Sequence, residues 1–148
     1  MAHTYTNLLT HAVFSTKDRL PLLTGDRYRE MHAYLGGIVR GEGHRALIVG
    51  GTTDHVHLLL LLRPTVAVSD LMRVAKARSS DWASSRFRCP FRWQVGYGAF
   101  TVSHREKGEI EAYIANQAAH HRVVGFQEEY LRLLKENGIE YDPAHLWD

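Results

Sequence analysis

A chain of 148 residues with 45% hydrophobic side chains is long enough to bury a core and too apolar to stay disordered, and one domain over residues 1–148 is expected. The formal charge of +2 argues only weakly for a nucleic-acid partner, so the local placement of charge has to decide. A single cysteine, Cys89, excludes an internal disulfide and fits a reducing cytoplasm; MAHTYTNLLTHAVF lacks the basic-then-apolar pattern of a leader, and no run approaches the ~18 apolar residues of a membrane span.

In chain order, Tyr5–Ser15 reads as the first strand, with apolar Leu8, Leu9, Val13 and Phe14. TKDRLPLLTGD contains Pro21 and Gly25 and reads as a loop. Tyr28, Met31, Leu35 and Ile38 recur at helical spacing and predict a helix over Asp26–Val39, ended by the glycines of RGEGHR. ALIVGG and HVHLLLLL are strand-like runs joined by the short turn GGTTD, a hairpin signal. After Pro64, Ser69 is the expected N-cap of a helix through DLMRVAKARSSDWASSRF, which Cys89-Pro90 breaks. RWQVGYGAFTVS, aromatic and β-branched, predicts the fourth strand. One helix is expected over Glu106–Arg122 and a last one from Phe126 to Asn137, stopped by Gly138. The order β-α-β-β-α-β plus C-terminal helices predicts an α+β, ferredoxin-like (RRM-like) antiparallel sheet with helices on one face.

Two constellations carry chemistry. In DHVHLLLLL, His55 and His57 point to one face of a strand and Val56 to the other. Two such imidazoles read either as ligands sharing one cation or as hydrogen-bonded core histidines. Asp54 precedes them; a carboxylate can orient an imidazole, but on a regular strand Asp54 would point away from His55. In EAYIANQAAHH, Ile110, Ile114 and Ala118 should face the sheet, while Tyr113 and Gln117 lie one above the other, i and i+4, on an adjoining stripe. That pair reads either as a functional face or as a half-buried Tyr with Gln at the rim; the roles of His120 and His121 stay open. Two imidazoles and an amide oxygen would leave open positions on a divalent cation for phosphate oxygens. No Gly-rich phosphate loop followed by Lys is present, so no nucleotide cofactor is expected, and no Cys pair could hold structural zinc.

HVH after a turn followed by YIANQ in a late helix resembles the HUH-type single-tyrosine transposases, the enzymes of small insertion sequences and their REP-associated relatives. The likeness runs through NLLTHAVFSTKDRLPLL, GTTDHVHLLLLL, WQVGYGAFTVS, YIANQAAHHR and HLWD. One departure is Thr53, where the family commonly has Pro before Asp-His. The resemblance implies His55, His57 and Gln117 as metal ligands, with Mg²⁺ or Mn²⁺ suiting the mixed N/O set, and Tyr113 as nucleophile. It implies sequence-specific cleavage and strand transfer of single-stranded, hairpin-forming DNA through a 5′-phosphotyrosine. It further implies a homodimer with composite sites, for which Gly96, Gly98 and Gly108 could supply flexibility; whether Tyr113 serves its own chain or the partner stays open. A non-catalytic or domesticated nucleic-acid-binding protein of this fold, or a hydrolase of small phosphoesters, are the other readings.

Between Met72 and Trp93 lie Arg73, Lys76, Arg78, Arg86, Arg88 and Arg92, interleaved with Trp82, Phe87, Phe91 and Trp93. Cations that track phosphates and rings that stack bases suit a single strand. The same pattern also describes an amphipathic helix with a solvated basic face and aromatics in the core.

Overall fold

A computed structural model describes residues 3–148. The chain forms β1 (Leu8–Ser15), α1 (Arg27–Gly41), β2 (Arg45–Gly51), β3 (His55–Leu62), α2 (Val68–Arg86), β4 (Gly98–Thr101), α3 (Lys107–Ala115), α4 (Gln117–His120) and α5 (Phe126–Glu136). The four strands make one antiparallel sheet in the order β2-β3-β1-β4, the α+β arrangement expected from the element order.

Strand alternation divides the core between the two faces of this sheet. Phe14, Val56, Leu58 and Leu60 point to one face and pack with Met31 and Leu35 of α1 and Met72 of α2. The other face is covered from the C-terminal side. Leu9 and Leu59 meet Ile114 of α3, and Val13 and Phe100 meet Phe126, Tyr130, Leu133 and Leu134 of α5. Between these two apolar clusters β1 and β3 present His11, His55 and His57, all fully or nearly fully buried. A leucine at each of those positions would gain ~2 kcal/mol from burial. A polar side chain forgoes that gain and needs a partner for every buried donor and acceptor.

Local differences from the sequence expectations have physical causes. Ser69 lies inside α2, whose N-cap is Ala67 with no side-chain cap bond. The first strand begins at Leu8 rather than Tyr5, because pairing with β3 starts at Leu8–Leu62. Of RWQVGYGAFTVS only Gly98–Thr101 pairs regularly with β1; Trp93 makes an isolated bridge to Thr16. The Glu106–Arg122 helix is interrupted at Asn116, whose φ of −96° and ψ of 19° separate α3 from α4. No Gly or Pro marks that break. Its effect is to bury Gln117 and leave Ala118 exposed, although the unbroken periodicity placed Ala118 toward the sheet. Gly98 is a packing position rather than a flexible one, since a Cβ there would lie 3.0 Å from Phe100 and 3.1 Å from Val13.

Candidate active site

The β2–β3 turn sets the first histidine. Its backbone is tied to neighbouring loops: Leu23 N–H donates to Thr53 O at 2.9 Å and Thr16 N–H to Asp54 O at 2.8 Å. These bonds supply the stiffness that a proline in place of Thr53 would bring. They also hold Asp54 outside the strand, so its side chain does not follow strand alternation. Its Oδ1 accepts from His55 Nδ1 at 2.7 Å and from Thr52 Oγ1 at 3.2 Å. With Nδ1–H engaged, His55 turns Nε2 into the site, a tautomer set from outside the site. Burial works to raise the Asp54 carboxyl, but the His55 bond prevails and holds it below its ordinary value.

His57, two residues on, contacts His11 of β1, with Nδ1 at 2.8 Å from His11 Nε2. Its own Nε2 is 3.0 Å from Glu129 Oε1. Burial pulls His57 down to about 4, against the opposing pull of Glu129. Burial, and then His57, pull His11 down to about 3. Both rings are therefore neutral at pH 7, the form in which imidazole can ligate a metal.

The facing wall comes from α3, α4 and α5. Gly50 of β2, paired with His57, lets α3 lie against the sheet: a Cβ there would be 2.5 Å from Ile114 O and 2.7 Å from Ile114 Cγ2. This close approach brings Gln117 Oε1 to 2.9 Å from His55 Nε2 and the Tyr113 ring to 5.8 Å from the His57 ring, centroid to centroid. Tyr113 thus meets the histidines of its own chain. Its hydroxyl donates to Glu129 Oε2 and accepts from Arg132 Nη2 at 3.1 Å. Burial, and then the Glu129 carboxylate, push the phenol above its ordinary value.

Glu129 is the site residue that sequence reasoning missed. It is fully buried, and Oε1 lies 3.0 Å from His57 Nε2, 3.0 Å from His121 Nε2 and 3.5 Å from His55 Nε2. Burial works to raise its carboxyl; the imidazoles of His121 and His57 and the Tyr113 hydroxyl hold it well below the carboxylate range. A signal was available in FQEEYLRLL, where Glu129 shares the apolar stripe of Phe126, Tyr130, Leu133 and Leu134. His11 had a similar signal as an imidazole on the inward alternation of β1. One ligand atom from each of His55, His57, His121 and Glu129 lies within 4.8 Å of the other three, a set able to hold a metal ion.

The basic segment divides. Phe87, Phe91 and Trp93 are buried in the α1–α2 core, and Trp82 stacks on Tyr34 at 4.3 Å, so these rings serve packing. Arg78 pairs with Glu42 and Arg86 with Glu30 on the surface, while Arg88 is exposed just beyond α2. Arg73, Lys76 and Arg92 line a surface groove of about 410 Å³ with Gln94 and Tyr97. Lys76 Nζ donates to the carbonyls of Val95 at 2.9 Å and Gly96 at 2.7 Å, and partial burial lowers it to about 8.

An antiparallel sheet presenting a His-x-His pair to a helix-borne tyrosine defines a DNA transposase of the HUH, single-tyrosine class. Within that class the chain belongs to the IS200-like transposases, since the family model "Transposase IS200 like" matches residues 4–117. It is 30% identical over 124 residues to the transposase for insertion sequence element IS200 of Salmonella typhimurium, covering 79% of this chain and 81% of that protein. The crystal structure of a putative transposase from Deinococcus radiodurans superposes with a TM-score of 0.64 at 26% identity, covering 79% of this chain and 96% of the other. A REP-associated tyrosine transposase bound to a REP hairpin shares the fold, with a TM-score of 0.62 at 13% identity over 84% of this chain and 74% of the other. No helix among the described residues is long and apolar enough to cross a membrane.

Proposed function

We propose that this transposase cuts and rejoins sequence-specific, hairpin-forming single-stranded DNA in a metal-dependent reaction through a 5′-phosphotyrosine. The observation that carries the proposal is the approach of the Tyr113 ring to the His57 ring and of the Gln117 amide oxygen to His55 Nε2. His55, His57 and Gln117 are the proposed ligands of Mg²⁺ or Mn²⁺, and the donor chemistry fits: neutral imidazole and amide oxygen suit a six-coordinate ion that keeps positions for phosphate. When bound, the ion supplies charge that polarises the scissile phosphate.

In the forward step the Tyr113 oxygen forms a bond to phosphorus and the bond from phosphorus to O3′ breaks. The phenol proton has an acceptor in Glu129 Oε2, which already receives it, and a proton returns to the leaving O3′. The phosphodiester energy is kept in the tyrosine ester, so an incoming 3′-OH reverses the step and no nucleotide cofactor is needed. Arg73, Lys76, Arg78, Arg86, Arg88 and Arg92 are the proposed phosphate-tracking residues, of which Arg73, Lys76 and Arg92 line one groove. The proposed working unit is a homodimer that holds two DNA ends. The unpaired outer edges of β2 and β4 are its candidate seams.

The test is incubation with Mn²⁺ and labelled single-stranded hairpin DNA, followed by denaturing electrophoresis. A covalent protein–DNA band at the mass of one chain plus the fragment on the 3′ side of the cut, which carries the 5′-phosphate, is expected. Binding without any band would return the chain to a non-catalytic role.

A further inference from the structure

We infer that Glu129 is an anionic ligand of the cation proposed above, and that its second oxygen ties this ligand set to Tyr113. The inference rests on the metal-dependent reading and goes beyond the ligand trio of His55, His57 and Gln117.

The first observation is the crowding of acceptors. His55 Nδ1 lies 2.7 Å from Asp54 Oδ1, and its Nε2 faces Gln117 Oε1 at 2.9 Å. Glu129 Oε1 enters the same space, 3.5 Å from that nitrogen and 3.0 Å from His57 Nε2. Imidazole nitrogens, an amide oxygen and a carboxylate oxygen at such separations need protons or a metal ion between them.

The second observation is an unpaired donor atom. His121 Nε2 is buried without a hydrogen-bond partner, although it approaches Glu129 Oε1 to 3.0 Å. A third imidazole nitrogen thus lies within 3.0 Å of the same oxygen. An ionised carboxylate with no exposure is costly unless it is paired or coordinates a metal. Here it is surrounded by the imidazoles of His55, His57 and His121. A divalent ion supplies the missing positive charge, and a carboxylate is a stronger ligand for a hard cation than a neutral amide.

The third observation separates the roles of the two carboxylate oxygens. Oε1 faces the imidazoles, whereas Oε2 accepts from the Tyr113 hydroxyl and from Gln117 Nε2 at 3.1 Å. One rigid group therefore spans the ion and the nucleophile. Gln117 steadies it from α4, and α5 carries it on the same helix as Arg132, which also holds the Tyr113 oxygen.

The test is Mn²⁺ binding to the metal-free full chain, followed by calorimetry and by the loss of the free-ion electron-spin signal. His57→Ala is the reference variant and loses binding. Glu129→Gln, which keeps the shape, is expected to weaken Mn²⁺ affinity at least tenfold, and Gly37→Ala in α1, where an added Cβ meets nothing within 4 Å, to leave it unchanged. Should Glu129→Gln misfold by circular dichroism, wild-type protein carrying ¹³C-carboxylate glutamate answers instead. An electron–nuclear coupling from a bound carboxylate carbon to Mn²⁺ is expected. Wild-type-like affinity in folded Glu129→Gln, or no carbon coupling in the labelled protein, would overturn the inference while the metal-dependent reading stands. Wild-type protein that binds neither Mn²⁺ nor Mg²⁺ would overturn both.

Discussion

Gly50→Ala tests whether the spacing between sheet and tyrosine helix controls the chemistry. The added Cβ would stand 2.5 Å from Ile114 O, against the 3.4 Å at which ordinary contact begins. The obstructing atom is backbone, so α3 has to withdraw by about 1 Å, carrying Tyr113 and the linked Gln117 away from His55 and His57. Overpacking of this kind costs ~1–3 kcal/mol of stability, and a ~1 Å misplacement of a reacting group can cost ~10²-fold in rate. Gly37→Ala is the control, because a Cβ there meets nothing within 4 Å; inside α1 it should add up to ~1 kcal/mol of stability. The assay is the single-turnover rate of covalent adduct formation, with thermal unfolding and hairpin binding measured on the same samples. Gly50→Ala should lose about two orders of magnitude in rate while retaining hairpin binding, and Gly37→Ala should cleave like wild type. A Gly50→Ala protein with wild-type cleavage and wild-type melting would refute the idea that this close contact positions the nucleophile.

Tyr113→Phe should form no adduct yet bind the hairpin almost as tightly, because only the nucleophilic oxygen is lost; an adduct from this variant would move the nucleophile elsewhere. Mixed Tyr113→Phe and His57→Ala chains should remain as inactive as either parent, since Tyr113 meets the histidines of its own chain; recovery of cleavage, with subunit exchange confirmed, would place the tyrosine in trans. Metal-free protein should lose stability on acidification. The folded-state value of His57 is depressed from 6.5 to about 4, so the unfolded chain binds the extra proton first. Its contribution is fully present above pH 6.5 and falls away toward pH 4, with buried His11 acting in the same direction. A melting temperature that stays flat between pH 7 and pH 4.5 would contradict this account.

The sequence by itself determined the strand and helix order, because each depends on local periodicity. Alternation in HVHLLLLL and helical spacing in FQEEYLRLL report directly which residues turn inward. It also determined that His55 and His57 share a face, since two residues on a strand always do. The break at Asn116 was not legible. No helix-breaking residue marks it, and it shows only in the folded chain, where Gln117 is buried and Ala118 exposed. The direction of Asp54 was likewise decided by tertiary bonds, in which Thr16 and Leu23 hold the turn's carbonyls and take the residue out of the strand pattern. In the basic segment the charges could be read locally, but whether the rings stack on bases or on one another depended on α1, which supplies Tyr34 and Met31 to cover them. Glu129 is the sharpest case. The sequence places an acid on an apolar stripe, and only the docking of α5 beside β1 and β3 brings that acid to three imidazoles 72, 74 and 8 residues away, at His57, His55 and His121. Contacts between residues so far apart along the chain leave no periodic trace, because they are fixed by how whole elements pack and not by the neighbours of either residue.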